Sequence, residues 1–317
     1  MKQHRLFSLF LILLVSLLVG HAQSRAPKGS PAPDGYLITP YGYFHSSCVK
    51  QLNDGDVIKD ETIQRANGAV DSTEACAYSH FTARGEEVVP GDRDPKITHS
   101  WIVAVDTAPV NPKGSFGELV TEWEVPPAPK TNHGQTIYFF PGLEDYKDVV
   151  TILQPVLGWN AYYKDAWGIA SWNCCVKGTV YVSNPRPTAT GHIIGGGIKD
   201  NCKPGTVECK SWDVVTEDLT TGVGTELANT SNFKQTFNWA FTSALEVYNI
   251  VDCSDYPAGG KLYAGDIHLY NDNFKSIPLT DYAVLDHWQL LRPGSVSPAC
   301  GRNATEANKF QEITLDF

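Results

Sequence analysis

Positive charge is scarce in this chain. Its 317 residues carry 25 Lys and Arg against 35 Asp and Glu, a formal charge of −10. That balance argues against nucleic acid and anionic membranes as partners. Charged residues of both signs make up only 19% of the sequence, and few windows show the 3.6-residue period of an amphipathic helix. Several catalytic signatures are absent too. There is no HExxH and no GxSxG, and the nine histidines are scattered, which removes the usual zinc hydrolase and serine hydrolase patterns. There is no CxxC and no tight Cys/His cluster, so no metal or cofactor is expected. Gly195-Gly196-Gly197 lacks the Lys and the spacing of a phosphate loop and reads as a flexible turn. Asp106-Thr107-Ala108 faintly resembles an aspartic peptidase turn, but no second copy supplies the partner carboxylate. After the first 22 residues no apolar run is long enough to span a bilayer.

Those first residues read as a signal peptide. Lys2 and Arg5 precede an apolar run from Leu6 to Gly20, and Gly20-His21-Ala22 offers small residues for cleavage after Ala22. Removing residues 1–22 takes the charge to −12. A secreted, extracellular, monomeric protein is expected. Eight cysteines in an exported chain imply disulfides. Cys202 and Cys209 flank a Lys-Pro-Gly turn and are placed to close a short loop, and Cys48 with Cys76 to staple the N-terminal region. The adjacent Cys174 and Cys175 are expected to bond elsewhere rather than to each other, because a vicinal bridge strains the backbone. Asn229-Thr230-Ser231 and Asn303-Ala304-Thr305 are glycosylation acceptor triplets.

Residues 26–34 (APKGSPAPD) read as a linker, and residues 23–95 as a linker plus an N-terminal extension with a propeptide-like or accessory role. From about His99 short apolar or alternating runs recur between Gly, Pro, Asn and Asp. Among them are Trp101–Val105, Glu118–Val125, Thr136–Phe140, Val149–Leu153, Trp212–Asp218 and Phe237–Asn249. The spacing predicts one all-β domain over residues 96–317, a sandwich or barrel. In Gly117–Pro127 the alternation puts Glu118, Glu122 and Glu124 on one strand face, either solvated or, on a sharper reading, the carboxylates of a glycosidase.

Two lone polar residues in apolar segments stand out: Gln154 in Thr151–Leu157 and Glu246 in Trp239–Tyr248. Burying either is costly unless it has a partner or a task. Their surroundings resemble the secreted glutamic peptidases, the eqolisins, over about two thirds of the chain. The resemblance is carried, in order, by Trp101–Val105, Leu119–Pro126, Tyr138–Glu144, Ile152-Leu153-Gln154, Trp212–Gly222, Ser243–Tyr248 and Ile313–Phe317. It implies a concanavalin-like sandwich of two antiparallel sheets with an N-terminal extension, and acid endopeptidase activity on protein or peptide substrates. It implies Glu246 as the general acid and base on a water, Gln154 as the donor to the oxyanion, and substrate contacts from Trp123 and Trp172. The sequence departs from the family where Ser171 stands in place of an acidic residue before Trp172, and where Pro155 follows Gln154. A non-catalytic sandwich that binds glycans or cell-wall material through its many aromatics is the alternative.

Overall fold

The computed structural model describes residues 32–59, 62–72, 75–89, 101–111, 113–146, 151–176, 178–231, 233–291, 298 and 300–317. The signal peptide call and most of the linker lie outside them. Among the described residues there is no α-helix, only short 3-10 turns between strands. The chain opens with β1 (Tyr36–Thr39), β2 (Gly42–His45), β3 (Val49–Gln51), β4 (Val57–Lys59), β5 (Thr62–Gln64), β6 (Val70–Ser72), β7 (His80–Phe81) and β8 (Glu87–Val88). There follow β9 (Trp101–Thr107), β10 (Phe116–Glu124), β11 (Thr136–Glu144), β12 (Ile152–Trp159), β13 (Trp167–Val176), β14 (Thr179–Val182), β15 (Arg186–Pro187) and β16 (Ile193–Asp200). The last third supplies β17 (Trp212–Asp218), β18 (Val223–Thr230), β19 (Trp239–Tyr248), β20 (Lys261–Asn271), β21 (Ser276–Ile277), β22 (Gln289–Leu291), β23 (Asn303–Ala307) and β24 (Glu312–Asp316).

These strands build an all-β sandwich. One sheet has eleven strands, in the order β23-β24-β20-β10-β16-β17-β18-β4-β5-β6 with β21 on β20. The other has nine, in the order β22-β9-β19-β11-β12-β13-β14-β3 with β15 on β13. A separate four-stranded sheet, β1-β2-β7-β8, belongs to the extension. Pairing is antiparallel except at two edges, where β3 adds to β14 and β4 to β18 in parallel. The N-terminal strands therefore add β3 to the rim of the nine-stranded sheet and β4, β5 and β6 to the rim of the eleven-stranded one, besides forming a sheet of their own.

Alternation decides which side chains meet. On β10, Leu119 and Trp123 point inward while Glu118, Val120, Glu122 and Glu124 point out. Facing residues of the nine-stranded sheet, among them Ile137, Phe139, Leu153, Leu157, Ile169, Leu245 and Val247, close the core between the layers. Polar bonds also cross it: Ser171 Oγ meets Thr216 Oγ1 at 2.9 Å, so Ser171 joins the two sheets.

The glycine triplet is not a turn. It lies inside β16, and a Cβ on Gly196 would fall 2.6 Å from the Trp123 ring and 2.9 Å from Pro155. Only a residue without a side chain lets the indole lie there. The cysteine expectation also needs one correction. Cys48–Cys76, Cys202–Cys209 and Cys253–Cys300 are bonded, and Cys174 is bonded to Cys175. The other six cysteines pair among themselves, which leaves Cys174 and Cys175 to each other; their peptide is cis, with Cα atoms 3.1 Å apart.

Candidate functional site on the covered face

The nine-stranded sheet has a second face, turned away from the sandwich. Trp101, Tyr138, Phe140, Ile152, Val156, Ala170, Trp172, Phe241, Ala244 and Tyr248 line it. Gln154 falls between Ile152 and Val156, and Glu246 between Ala244 and Tyr248, so alternation puts both on this face. Each is fully buried. What buries them is the extension: Tyr36, Ile38, Tyr41, Tyr43 and Phe44 of the β1–β2 hairpin pack on the same apolar cluster.

Gln154 donates its amide N–H to the carbonyl of Pro40 at the hairpin turn, 3.1 Å away. Its own Oε1 has no hydrogen-bond partner among the described residues, an omission that typically costs about 1–3 kcal/mol. Across the ladder stand Trp172 on β13 and, by continuation of the β11–β12 register, Gly142 on β11. The same register sets Pro141 opposite Pro155, two residues without an N–H, where the ladder between β11 and β12 is interrupted.

Glu246 is held differently. Oε2 accepts from the Trp101 indole at 3.2 Å, and Oε1 accepts from the Tyr248 hydroxyl. Tyr138 lies opposite it on β11 and donates its hydroxyl to the carbonyl of Ile38, 3.2 Å away. Burial pushes the Tyr43 hydroxyl up to about 12, with the nearby Glu246 charge adding to the effect, and burial raises Tyr138 well above the ordinary phenol range. Tyr43 stacks edge-on against Tyr248, ring centroids 5.3 Å apart.

The register also measures the gap between the two. Tyr138 pairs with both Glu246 and Gly158, which fixes Glu246 level with Gly158, four residues along β12 from Gln154 and two strands across. At 3.2–3.4 Å per residue and 4.7–4.9 Å per strand this is about 16 Å between Cα atoms. The two share a face, but this arrangement does not bring them within the reach of one bridging water.

The other named residues are dispersed. Trp172 is on the site face, its indole donating to the Tyr162 hydroxyl at 2.7 Å. Trp123 is inside the sandwich, on the other layer. Asn229 and Asn303 are exposed, the first with φ 53° in β18 and the second at the start of the edge strand β23. Glu122 and Glu124 line an open groove of about 360 Å³ on the outside of the eleven-stranded sheet, with Tyr263, Asp266, Glu306 and Glu312. Among the described residues, two groupings have metal-like proximity. In one the Cys202 and Cys209 sulfurs are bonded to each other. In the other Asp255 already accepts from Thr131, His133 and two backbone amides.

Sequence reasoning did not single out Tyr248, Tyr138 or Glu144. Tyr248 was legible by alternation, two residues after Glu246. Glu144 is fully buried near the end of β11, opposite Ile152 and Trp239 on its two neighbours. It is one strand from Gln154 on the same face, a diagonal neighbour, with Ile152 leaning across toward Gly142 between them.

No family model matches the chain, and no curated protein matches its sequence. Solved structures do. A scytalido-glutamic peptidase with a peptide-based transition-state analogue matches 69% of this chain and 98% of its own, at 13% identity and a TM-score of 0.48. SCP-B, an eqolisin peptidase in complex with the tripeptide Ala-Ile-His, matches over the same shares at 14% identity and a TM-score of 0.47. The aspergilloglutamic peptidase of Aspergillus niger matches 57% of this chain and 98% of its own, at 13% identity and a TM-score of 0.38. The fold is an all-β sandwich, and glutamic peptidases of the eqolisin family are what it is similar to at this low identity.

Proposed function

We propose that the chain is a secreted peptidase of the glutamic type and that its substrate groove is the face now beneath the β1–β2 hairpin. The observation that carries this reading is the bond from the Gln154 amide to the Pro40 carbonyl. It is the contact an oxyanion donor makes with the carbonyl of a peptide about to be cleaved. The four disulfides fit an oxidising compartment, and among the described residues no helix is long and apolar enough to cross a membrane.

In this reading Gln154 stabilises the negative charge on the carbonyl oxygen, and a carboxylate takes the proton of the attacking water and returns it to the leaving amine. The resemblance names Glu246 as that carboxylate. By the strand register Glu246 stands about 16 Å from Gln154 between Cα atoms and does not reach that carbonyl in this arrangement. Glu144 is the nearer carboxylate by register, with the Ile152 side chain between it and Gln154.

The test is a protein-substrate assay from acid to neutral pH on protein freed of residues before Ser47, comparing wild type with Gln154→Ala, Glu246→Gln and Glu144→Gln. Gln154→Ala should lose roughly a hundred- to a thousandfold in rate. One of the two glutamate variants should lose more than that. Wild-type rates from both would end the glutamic reading.

The second reading, non-catalytic binding of glycans or cell-wall material, is favoured by one observation: Gln154 and Glu246 are apart, with Tyr138, Tyr162 and Trp172 on the face between and beside them. Saturable glycan binding by the hairpin-free protein, with no cleavage of any peptide, would select it.

A further inference from the structure

Gly117 is the extra residue of a bulge in β10. On β20, Asn271 pairs with Phe116 and Tyr270 with Glu118, which leaves Gly117 between them. On the other side Glu118 stands opposite Lys199, so the same register sets Gly117 beside Asp200 at the end of β16. Two oxygens converge on the space that a side chain at 117 would fill. The main-chain oxygen of Asn271 lies 2.6 Å from the position of a Cβ there, and Asp200 Oδ2 lies 3.0 Å from it. The Cα of Asp272 is 3.2 Å from the same point. Glycine keeps this space open between backbone and carboxylate.

Both converging oxygens are acceptors, and neither satisfies the other. Asp200 is buried, only 3% exposed. Among the described residues its carboxylate receives one hydrogen bond, from the Cys202 amide to Oδ1 at 3.0 Å, and Oδ2 receives none. The Cys202 and Cys209 sulfurs lie alongside, but they are bonded to each other. A buried carboxylate oxygen aimed past a carbonyl calls for a proton or a cation. Burial lifts the Asp200 carboxyl to about 6; the Cys202 amide and Lys199 oppose this, and the charges of Asp272 and Glu118 add to it. Above that range Asp200 is a buried anion with a single donor. Lys199 does not supply the missing charge at Oδ2: its ammonium is 3.5 Å from Glu118 Oε2 and sits over the Phe274 ring.

The surrounding turns hold the acceptors in place. Asn271 Oδ1 accepts from the amides of Asn273 and Lys275, and the Phe274 amide takes one lone pair of the Asn271 carbonyl. The Gly205 amide donates to the carbonyl of Asp272 at 2.7 Å, inside the loop closed by Cys202–Cys209. Little ordering is left for a ligand to impose.

We infer that Asp200 Oδ2, the Asn271 main-chain oxygen and the Asp272 carboxylate form a calcium site at the rim of the eleven-stranded sheet, with water completing the shell. The donors are all oxygen and mix carboxylate with carbonyl in an irregular frame. That suits Ca2+, whereas Mg2+ demands a near-ideal octahedron. The site belongs to the other layer from Gln154 and Glu246 and does not rest on the peptidase reading.

The experiment strips the full chain with a chelator and titrates it with CaCl2 at fixed ionic strength, following heat and Tm. One ion per chain should bind with a dissociation constant of about 0.1–1 mM, and Tm should rise with occupancy. Tb3+ in place of calcium should luminesce when the indoles are excited, because Trp212 pairs with Asp200 across the ladder, and CaCl2 should quench that emission by displacement. Asp200→Asn keeps an acceptor for the Cys202 amide and removes the charge; Asp272→Ala leaves Asp200 intact. Each should weaken calcium binding by about tenfold or more. Asp252→Asn, at the cluster beside Asp255, should leave it unchanged.

A Tm that does not respond to CaCl2, or a response that Asp200→Asn or Asp272→Ala keeps in full, overturns the inference. Asp200 would then hold a proton, and Asp200→Asn would match or exceed wild-type stability at neutral pH with no ion present. A response lost only in Asp252→Asn would put the ion at the other cluster and overturn it equally.

Discussion

Tyr248 holds the Glu246 carboxylate through its phenolic hydroxyl, from two residues further along the same face of β19. The Trp101 indole completes the grip from the neighbouring strand. A buried carboxylate with two donors is in a tolerable state, and each donor removed makes it less so. Tyr248→Phe keeps the ring against Tyr43 and deletes only the O–H. It should cost about 1–3 kcal/mol, read as a shift in the urea midpoint. Combined with Trp101→Phe the loss should differ from the sum of the two, because both donors serve one acceptor. Additive losses would mean that Glu246 finds other partners.

Asp218 sets the behaviour in acid. Burial alone would raise its carboxyl, but hydrogen bonds from Thr188, His192 and the Thr221 amide outweigh this and leave it below the ordinary range. Asp56 beside Arg65 and Asp255 beside Thr131 are lowered in the same manner against the pull of burial. A lowered carboxyl contributes stability that is present above the ordinary carboxylate range and is lost as pH falls through the lowered value. Asp218→Asn should therefore cost about 1–3 kcal/mol at neutral pH, and the deficit should shrink toward strong acid. A deficit that stays constant with pH would exclude the carboxylate's charge as its source.

Asp106 works in the opposite direction. Burial raises it to about 6, partly offset by the Trp239 indole at 2.6 Å and reinforced by Asp286. A raised carboxyl favours the fold most below its ordinary value of 3.8, and that advantage is lost as pH rises through about 6. Asp106→Asn keeps an acceptor for the indole and never ionises. Its Tm should exceed that of wild type at neutral pH, by the equivalent of about 1–3 kcal/mol, and match it in acid.

The disulfides should differ in weight. Cys253–Cys300 closes a separation of 47 residues and Cys202–Cys209 one of 7. Loop-closure entropy assigns about 4 kcal/mol to the first and about 2 to the second. Paired Cys→Ser variants compared by chemical denaturation should show the larger loss at Cys253–Cys300.

Much of this architecture was legible in the sequence where the information is local. The alternation of Glu118, Glu122 and Glu124 with Leu119 and Trp123 is what β10 displays. The apolar run around Glu246 is β19. The apolar segment Thr151–Leu157 around Gln154 is β12, which runs through Pro155 and on to Trp159. Gly195–Gly197 was misread because glycine's turn preference is local, whereas its reason here is Trp123 arriving from a neighbouring strand. That Gln154 and Glu246 share a face could be anticipated from the family pattern. Their offset could not. It is set by the pairing of three strands, with an irregularity between Phe140 and Gly142 that no single segment encodes. The hairpin above them joins residues more than a hundred positions apart, as Gln154 and Pro40 show.

The two parallel edge pairings bear on how the polypeptide reaches this state. Residues 49–51 find their partner at 180–182, and Val57 pairs with Ala228. During synthesis these early strands emerge well before the segments they must join. Closing such long loops carries an entropic cost that local pairings do not, so the rim contacts belong to the late steps of assembly. Until then β3, and the edge of β4 that will meet β18, wait unpaired, the strand edges most in need of protection from other nascent copies.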